Sequence, residues 1–254
     1  MSKLRGTRGV LAATLLLVVA VAAEAGPRIA IIIDDLGYGL DAGVRALDLP
    51  GAVSYAVLPQ TPRGADLARR AASKGRDVLL HLPLQPVGTG ATSEPGSMTL
   101  DMSRREFGKA FASNIATVPQ AIGINNHRGS LLTRHPGHMS WLMQELGDRG
   151  LVFVDSYTTH LSVALQIARE NGIPSRRRDV FLDADPAPQR IAAEYERLKR
   201  LARERGVAIA IAHPYPQTLQ FLETELPALA DEGYQLVGIG ELLGLHRHAV
   251  EQAD

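Results

Sequence analysis

The hydrophobic residues of this chain are grouped in short runs, and most runs carry a residue near their end that can bind a metal or transfer a proton. Six runs carry Asp, His or Asn at or near their last position: 29–35, 77–83, 121–127, 151–155, 179–183 and 207–213. Such continuous apolar runs are typical of strands buried on both faces of a parallel sheet. The carboxyl ends of parallel strands lie on one face of a sheet or barrel, so we expect these polar residues to converge on one site.

Segments with helical periodicity separate the runs. Ser103 and Glu106 have the spacing of a capping box, and 62–74 begins with proline and is followed by glycine. Further helices are predicted over 136–148, 160–171, 187–205 and 218–232. With two more strands at 53–59 and 235–241, the alternation predicts an α/β fold, a distorted (β/α) barrel with seven or eight parallel strands. No glycine-rich nucleotide-binding motif follows the first strand.

Composition and charge narrow the class of function. The 254 residues are 45% hydrophobic, which is enough for one sizeable core, and Lys+Arg and Asp+Glu both number 27. A chain with no net charge has no general attraction for nucleic acid, so we expect no nucleic-acid partner. The basic run 176–178 is interpreted as a solvated loop. The chain has no cysteine, which excludes thiolate metal sites and cysteine catalysis.

The N-terminus has the three parts of a secretory signal peptide. Basic residues at 3, 5 and 8 precede an apolar stretch over 10–23, and Ala23-Glu24-Ala25 is suited to a signal peptidase. A membrane anchor is the alternative, but the stretch is shorter than the roughly 20 residues of a spanning helix. The prediction is a signal peptide over 1–25 and one domain over 26–254, periplasmic or secreted, with no stable membrane insertion after cleavage.

The signal peptide makes a direct prediction about the exported protein. We expect the mature chain to begin at Gly26 and to be soluble in the periplasm. The intact mass of the exported chain checks this. Recovery of Met1–Ala25, still attached, in the membrane fraction would contradict cleavage and favour the anchored alternative.

Asp34 and Asp35 end the first predicted strand. Neighbouring residues of a strand point to opposite faces, so both can serve one site only if the chain turns there. Two adjacent carboxylates are costly to ionise together, and a divalent cation is the simplest partner; helix capping is the alternative. With His81 and His127, Asp35 would form a three-ligand site of the kind that holds catalytic zinc, although a lone histidine such as His81 is more often a core residue.

The remaining candidates are acid–base groups and substrate contacts. His213 ends a strand and is followed by Pro-Tyr-Pro, which fixes the loop around it, and histidine is the natural proton donor or acceptor near neutrality. Asp155 could orient a histidine or cap a loop. Asp183 and Asp185 are interpreted as part of a turn. The candidate substrate contacts are polar residues after the fourth strand and an aromatic residue after His213: Asn126, Arg128, Ser130 and Tyr215.

Linked motifs along the chain resemble those of the divergent polysaccharide deacetylase family. They are IIIDDLGY (31–38), LLHLPLQP (79–86), INNHRGS (124–130), FVDS (153–156), RDVFLD (178–183) and AIAHPYPQT (210–218). The resemblance implies a distorted (β/α) barrel, export to the cell envelope, a divalent metal such as Zn²⁺ and an acylated glycan as substrate. It also implies that Asp34 is the catalytic base and Asp35 a metal ligand.

The chain departs from the better understood carbohydrate esterases of the superfamily in its histidines. Those enzymes place two histidines four residues apart, whereas His81 is followed by Gln85 and His127 by Leu131. The second imidazole ligand must therefore come from another strand. The resulting hypothesis is a metal-dependent hydrolase that removes acyl groups from an envelope glycan, with catalytic Asp34, His213 and Asp155. The alternatives are an inactive glycan-binding protein on the same barrel and another metal-dependent hydrolase.

Overall fold

The computed structural model describes residues 26–88 and 94–245, so the predicted signal peptide lies outside the described residues. The strands are β1 (Arg28–Leu36), β2 (Ser54–Val57), β3 (Val78–Leu84), β4 (Gly123–Arg128), β5 (Val152–Asp155), β6 (Ser175–Arg177), β7 (Val180–Phe181), β8 (Val207–Ala212) and β9 (Gln235–Leu236). The α-helices are α1 (Leu40–Leu47), α2 (Gly64–Ser73), α3 (Arg104–Ala116), α4 (Pro136–Gly147), α5 (Ala164–Glu170), α6 (Pro188–Arg205), α7 (Pro216–Glu225) and α8 (Ile239–Leu242). Within the described ranges, no helix combines the length and the hydropathy needed to cross a bilayer.

The sheet is a distorted barrel closed by a broken strand. All pairs are parallel in the order β6-β5-β4-β3-β2-β1-β8-β7, and β9 also pairs with β1. The two outermost strands are consecutive in sequence: Arg178 N donates to Asp155 O of β5 (3.0 Å), and Asp179 N donates to Ile209 O of β8 (2.9 Å). The segment 175–181 therefore changes neighbours halfway along. This confirms the predicted distorted (β/α) barrel of parallel strands.

Alternation along the strands separates two apolar layers. In β1, Ile29, Ile31 and Ile33 belong to the layer under the helices, whereas Ala30 and Ile32 belong to the layer inside the barrel. All five are inaccessible to solvent. Both layers are apolar because helices cover the outside and side chains fill the inside, which is why these strands have continuous hydrophobic runs.

Helix boundaries follow the local signals for the most part. Ser103 and Glu106 form the predicted capping box at α3. The helix predicted over 62–74 begins at Gly64 instead, because Pro62 lies in a turn in which the Thr61 hydroxyl donates to Leu58 O. The interpretation of 176–178 as a loop is wrong in part, since β6 pairs with β5 through Arg177.

Candidate metal centre and acid–base site

A bulge in β1 brings both aspartates to the same end of the barrel. The register between β1 and β2 shifts between Ile33 and Leu36, and Asp35 has the left-handed φ of 59°. Asp34 faces the barrel interior, in phase with Ala30 and Ile32. The turn at Asp35 points the Asp35 side chain in a different direction from that in a regular strand. The turn that the paired aspartates require is therefore present. It lies at Asp35 itself, before the glycines at 37 and 39.

Left-handed backbone recurs around this end of the barrel. Of the four non-glycine residues with positive φ in the described ranges, Asp35, Arg128 (55°) and Tyr157 (51°) all lie at or near the carboxyl ends of barrel strands there. Such conformations cost of order 1–3 kcal/mol each and persist where the surrounding structure fixes them, often at functional sites. The strained backbone thus coincides with the converging polar residues.

Asp35, His81 and His127 meet around one point. Asp35 Oδ1 lies 3.1 Å from His81 Nε2 and 3.0 Å from His127 Nδ1, and the two ring nitrogens are 3.1 Å apart. Ligands of a tetrahedral zinc ion about 2.0–2.2 Å away are separated by about 3.3 Å, close to these distances. Asp35 Oδ1 is buried and makes no hydrogen bond of good geometry to any described residue. The donor set and the orphaned oxygen both fit a divalent metal.

The neighbours of His81 leave its Nε2 atom available as a metal ligand. Asn125 Nδ2 donates to Asp34 Oδ1 (2.7 Å), so Asn125 Oδ1 is the atom that faces His81 Nδ1 (2.8 Å). An amide oxygen can only accept, so His81 carries a proton on Nδ1. In the neutral ring Nε2 is then a lone-pair donor that points to Asp35. Fixing the tautomer through the second ring nitrogen is the usual arrangement of metal-binding histidines.

Electrostatics favour a cation at this point. Burial raises the pKa of Asp35, but the close approach of His127 and His81 holds the net pKa well below its usual value. Burial raises the pKa of Asp34 above its usual value, and the charges of His81 and His213 offset only part of this rise. Asp35 is thus kept ionised. The raised pKa of Asp34 makes its carboxylate the better proton acceptor of the two.

His213 is positioned by a carboxylate that lies at the end of the adjacent strand. Asp183 Oδ1 is 2.9 Å from His213 Nδ1, while Asp183 Oδ2 accepts from His213 N (2.7 Å) and from the Thr218 hydroxyl (2.9 Å). Burial lowers the pKa of His213, but the hydrogen bond and charge of Asp183, with smaller contributions from Asp34 and Asp35, raise it overall. His213 Nε2 lies 3.6 Å from Asp35 Oδ2. The ring therefore offers a proton next to the candidate metal centre.

Asp34, both candidate histidine ligands and His213 line a cavity of about 350 Å³. Its lining includes residues from the ends of β1, β3, β4, β5, β7 and β8: Asp34, His81, Asn126, His127, Arg128, Ser156, Tyr157, Thr158, Arg178, Phe181, Ile211 and His213. The size lies within the range of about 300–1,000 Å³ that small-molecule sites occupy. The arrangement can bind a metal, accept a proton at Asp34 and donate one from His213.

Comparison with protein-family models identifies one family over most of the chain. A model described as divergent polysaccharide deacetylase matches residues 31–243, which include every site residue described above. This chain belongs to the divergent polysaccharide deacetylase family. The resemblance of the motifs is confirmed.

Similar proteins occur in bacteria. An uncharacterized protein of Haemophilus influenzae is 38% identical over 215 residues, which cover 85% of this chain and 76% of that protein. The crystal structure of uncharacterized protein ATU2773 from Agrobacterium tumefaciens has a TM-score of 0.83 at 24% identity, covering 87% of this chain and 91% of that one.

Two less similar solved structures share the fold. BA3943 from Bacillus anthracis, a CE4 family pseudoenzyme, has a TM-score of 0.52 at 16% identity, covering 87% of this chain and 66% of that chain. Peptidoglycan deacetylase PdaC from Bacillus subtilis has a TM-score of 0.51 at 14% identity, covering 87% of this chain and 91% of that one. The fold of this family member is thus shared with a peptidoglycan deacetylase and with a pseudoenzyme.

The candidate substrate contacts of this family member divide into two groups. Arg128 lies at the cavity, where it pairs with Glu94 (2.9 Å), and Tyr215 stacks on His213 with ring centroids 5.3 Å apart. Asn126 also lines the cavity, but its side chain joins two loops by accepting from Ser156 N. Ser130 is not in the cavity lining, and its hydroxyl accepts from the backbone N–H of Val87.

The proposed orienting role of Asp155 requires a correction. Its carboxylate accepts from Tyr157 N (2.8 Å) and from the Ser162 hydroxyl (2.8 Å), and it contacts no imidazole among the described residues. Val152 and Val154 face the barrel interior, so alternation directs Asp155 toward the helices. The loop-capping alternative describes its contacts, and the carboxylate that orients His213 is Asp183.

Three further side chains contact residues of the site, and the sequence did not predict a role there for any of them. Asn125 connects His81 to Asp34, and Glu94 Oε2 lies 3.3 Å from His127 Nε2. Arg178 donates to the carbonyl oxygens of Ser156 and Tyr157 and lines the cavity. The inward-facing positions of β4 would have identified Asn125, whereas no local signal identifies Glu94.

Proposed function

We propose that this protein is a metal-dependent hydrolase that removes acetyl or other acyl groups from an envelope polysaccharide or oligosaccharide. The observation that carries the proposal is the convergence of Asp35, His81 and His127 within 3.0–3.1 Å, with Asp34 and His213 beside them. Family membership supports carbohydrate as the substrate class. The balanced charge of the chain continues to argue against a nucleic-acid substrate.

Asp35, His81 and His127 would hold the divalent ion. When bound, such an ion polarises an acyl oxygen and lowers the pKa of water, which makes attack by water possible near neutral pH. One carboxylate with two imidazoles is a common ligand set for zinc, so we propose Zn²⁺ as the native ion. The three side chains come from β1, β3 and β4, so the barrel itself fixes their separation.

Asp34 and His213 divide the proton transfers between them. Asp34, held by the amide of Asn125, would accept the proton of the attacking water, and its raised pKa suits a general base. His213, held by Asp183, would donate a proton to the departing nitrogen or oxygen of the sugar. After the transfer, Asp183 keeps the remaining proton of the neutral imidazole on Nδ1. The ring thus stays in the orientation in which Nε2 can be protonated again.

The contact between His213 and Asp183 predicts a change in pH dependence. Asp183→Asn removes the charge that raises the pKa of His213, so that pKa should fall. A general acid works only while protonated, and the alkaline limb of the kcat/KM profile should therefore move to lower pH, with kcat reduced about 10- to 100-fold. The profile is measured from pH 5 to pH 10.

The control for this variant is Asp231→Asn, which removes an exposed carboxylate before the N-terminal end of β9. It should leave the profile of the wild type unchanged. An unshifted alkaline limb in Asp183→Asn would show that His213 does not act as the acid, or that Asp183 does not control it.

Acetate release tests the proposed activity. Protein freed of metal by a chelator, and the same protein reloaded with Zn²⁺, are incubated with acetylated chitooligosaccharides and with acetylated peptidoglycan fragments. We expect acetate in proportion to the metal loaded. Metal-loaded wild type that releases no acetate from any of these glycans would contradict the proposal.

A glycan-binding protein without activity is the second candidate. The shared fold with BA3943, a pseudoenzyme, is the observation that favours it. Against it, Asp34 and His213 both lie at the candidate metal centre with partners that fit proton transfer. Binding of the same glycans without acetate release would support this second candidate.

A further inference from the structure

Two side chains on the wall of the catalytic cavity have no part in the proposed proton transfers or metal binding. Arg178 and Ser156 both line the cavity of about 350 Å³ that holds Asp34 and His213, where β5 and β6 end. Both have hydrogen-bonding groups that the described residues do not use. The chemistry of these groups indicates what the cavity binds.

The guanidinium of Arg178 is held in place but has no carboxylate partner. Its Nε donates to Ser156 O (2.8 Å), its Nη2 donates to Tyr157 O (3.2 Å), and it lies 4.8 Å from the centre of the Phe181 ring. Arg178 is half-buried, and no carboxylate of the described residues forms an ion pair with it. A guanidinium has five N–H donors, so the two bonds to carbonyl oxygens leave Nη1 for a ligand.

The Ser156 hydroxyl is a buried polar group without a partner. Ser156 is in phase with Val152 and Val154, which face the barrel interior. It is 5% exposed, and its Oγ makes no hydrogen bond to any described residue. Among the described residues that line the catalytic cavity, only Ser156 has such an atom. Buried hydroxyls without a partner are unfavourable and rare, so this one indicates a ligand.

The charges around the cavity leave Arg178 without an opposite charge. Glu94 pairs with Arg128 (2.9 Å), and a divalent ion would offset Asp34 and Asp35. Arg178 then remains as a cation on the cavity wall. A planar guanidinium beside a hydroxyl donor suits a carboxylate, which is planar and carries one negative charge. A phosphate monoester carries nearly two charges near neutral pH, and one of them would stay unpaired.

We propose that Arg178 and Ser156 bind a carboxylate of the substrate, so that the sugar deacylated by this protein is an acidic sugar. The inference rests on the proposed function for the reaction, and it adds the class of the substrate. The carboxylate would accept from the guanidinium and from Ser156 Oγ, which would gain the partner that it lacks. Two sources offer such a group: a uronic acid, and a sugar with a carboxylate on an ether-linked side chain.

Pairs of sugars that differ in one carboxylate test this inference. N-acetylmuramic acid is compared with N-acetylglucosamine, and methyl glucuronide with methyl glucoside, by calorimetry on metal-loaded protein. In wild type, the acidic member of at least one pair should bind about tenfold more tightly, the effect of a hydrogen bond to a charged group. The pair that shows the preference identifies the source of the carboxylate.

Two variants and a control locate the preference. Arg178→Gln should bring the affinity ratio toward one, and Ser156→Ala should lower it by about threefold or more, the effect of one hydrogen bond. Ser156→Ala should keep the unfolding temperature of the wild type, because the hydroxyl has no partner among the described residues. Ser175→Ala is the matched control, since its hydroxyl is also buried and without a partner but lies at the start of β6, outside the cavity lining.

The outcomes separate this inference from the proposed activity. If no acetate is released from any glycan but both variants lose the preference, the activity is wrong and the carboxylate site stands. If acetate is released but wild type prefers neither acidic sugar, the carboxylate site is wrong and the activity stands. A preference that persists in both variants, with the metal content of the wild type, would show that the carboxylate binds elsewhere and would overturn the inference. A ratio that falls in Arg178→Gln alone would overturn the role of Ser156.

Discussion

Asp35→Ala is expected to lose the bound metal and all hydrolysis together. Asp35 Oδ1 lies 3.0–3.1 Å from both ring nitrogens of the centre, and no other carboxylate oxygen among the described residues lies as close to both. Loss of an outer partner of a ligand lowers metal affinity about 10- to 100-fold, and loss of a ligand should exceed that. Removal of this carboxylate also leaves His81 and His127 facing each other at 3.1 Å.

Metal content and affinity check this prediction. Elemental analysis of protein purified without chelator gives the stoichiometry, and zinc titration against a competing chelator gives the affinity. Asp148→Ala is the control, since Asp148 is exposed where α4 ends, far from the carboxyl ends of the strands. Retention of one tightly bound ion in Asp35→Ala would place the metal centre elsewhere.

Asp34→Asn should separate catalysis from metal binding. Asparagine keeps the shape of the side chain and can still accept from Asn125, but it cannot take a proton. Turnover should therefore fall by about 10²- to 10⁴-fold, the usual contribution of general acid–base catalysis, while metal content stays at that of the wild type.

Steady-state kinetics on a verified substrate, together with metal analysis, measure both effects. Asp148→Asn again serves as the control for removal of a carboxylate. Full activity in Asp34→Asn would show that the base is another group. Loss of the metal in that variant would show instead that Asp34 is needed for the centre itself.

The sequence was sufficient to predict most of the barrel because its strands are buried on both faces. Continuous apolar runs in β1, β3 and β8 have no other stable position, and the polar residue that follows each run must lie at the open end. The break at Arg178 and Asp179 was not predicted. The two strands on either side of the break, β6 and β7, pair with different neighbours over only three and two residues. Such short strands have too few apolar positions for a pattern to be recognised.

The site was predicted where strand alternation and chemistry agree. His81 and His127 are inward-facing, in phase with Leu79 and Asn125, and they meet as expected for ligands from neighbouring strands. The prediction for Asp155 is wrong because a position at a strand end does not by itself place a side chain in the site. Alternation along β5 directs the Asp155 side chain outward. Alternation applied to the next strands would have favoured Asp183.

Contacts between distant loops could not be predicted from the pattern. Glu94 reaches His127 from the connection after β3, and Arg178 enters the cavity because the strand breaks there. Both placements depend on how loops pack at the barrel mouth. Periodicity carries no information about such packing.

X-ray diffraction recorded on both sides of a metal absorption edge tests the metal centre most directly. Crystals of protein purified without chelator and supplied with Zn²⁺ should show one anomalous peak about 2.0–2.2 Å from Asp35 Oδ1, His81 Nε2 and His127 Nδ1. No peak at that position, with the three side chains pointing apart, would contradict a metal-dependent hydrolase at this end of the barrel.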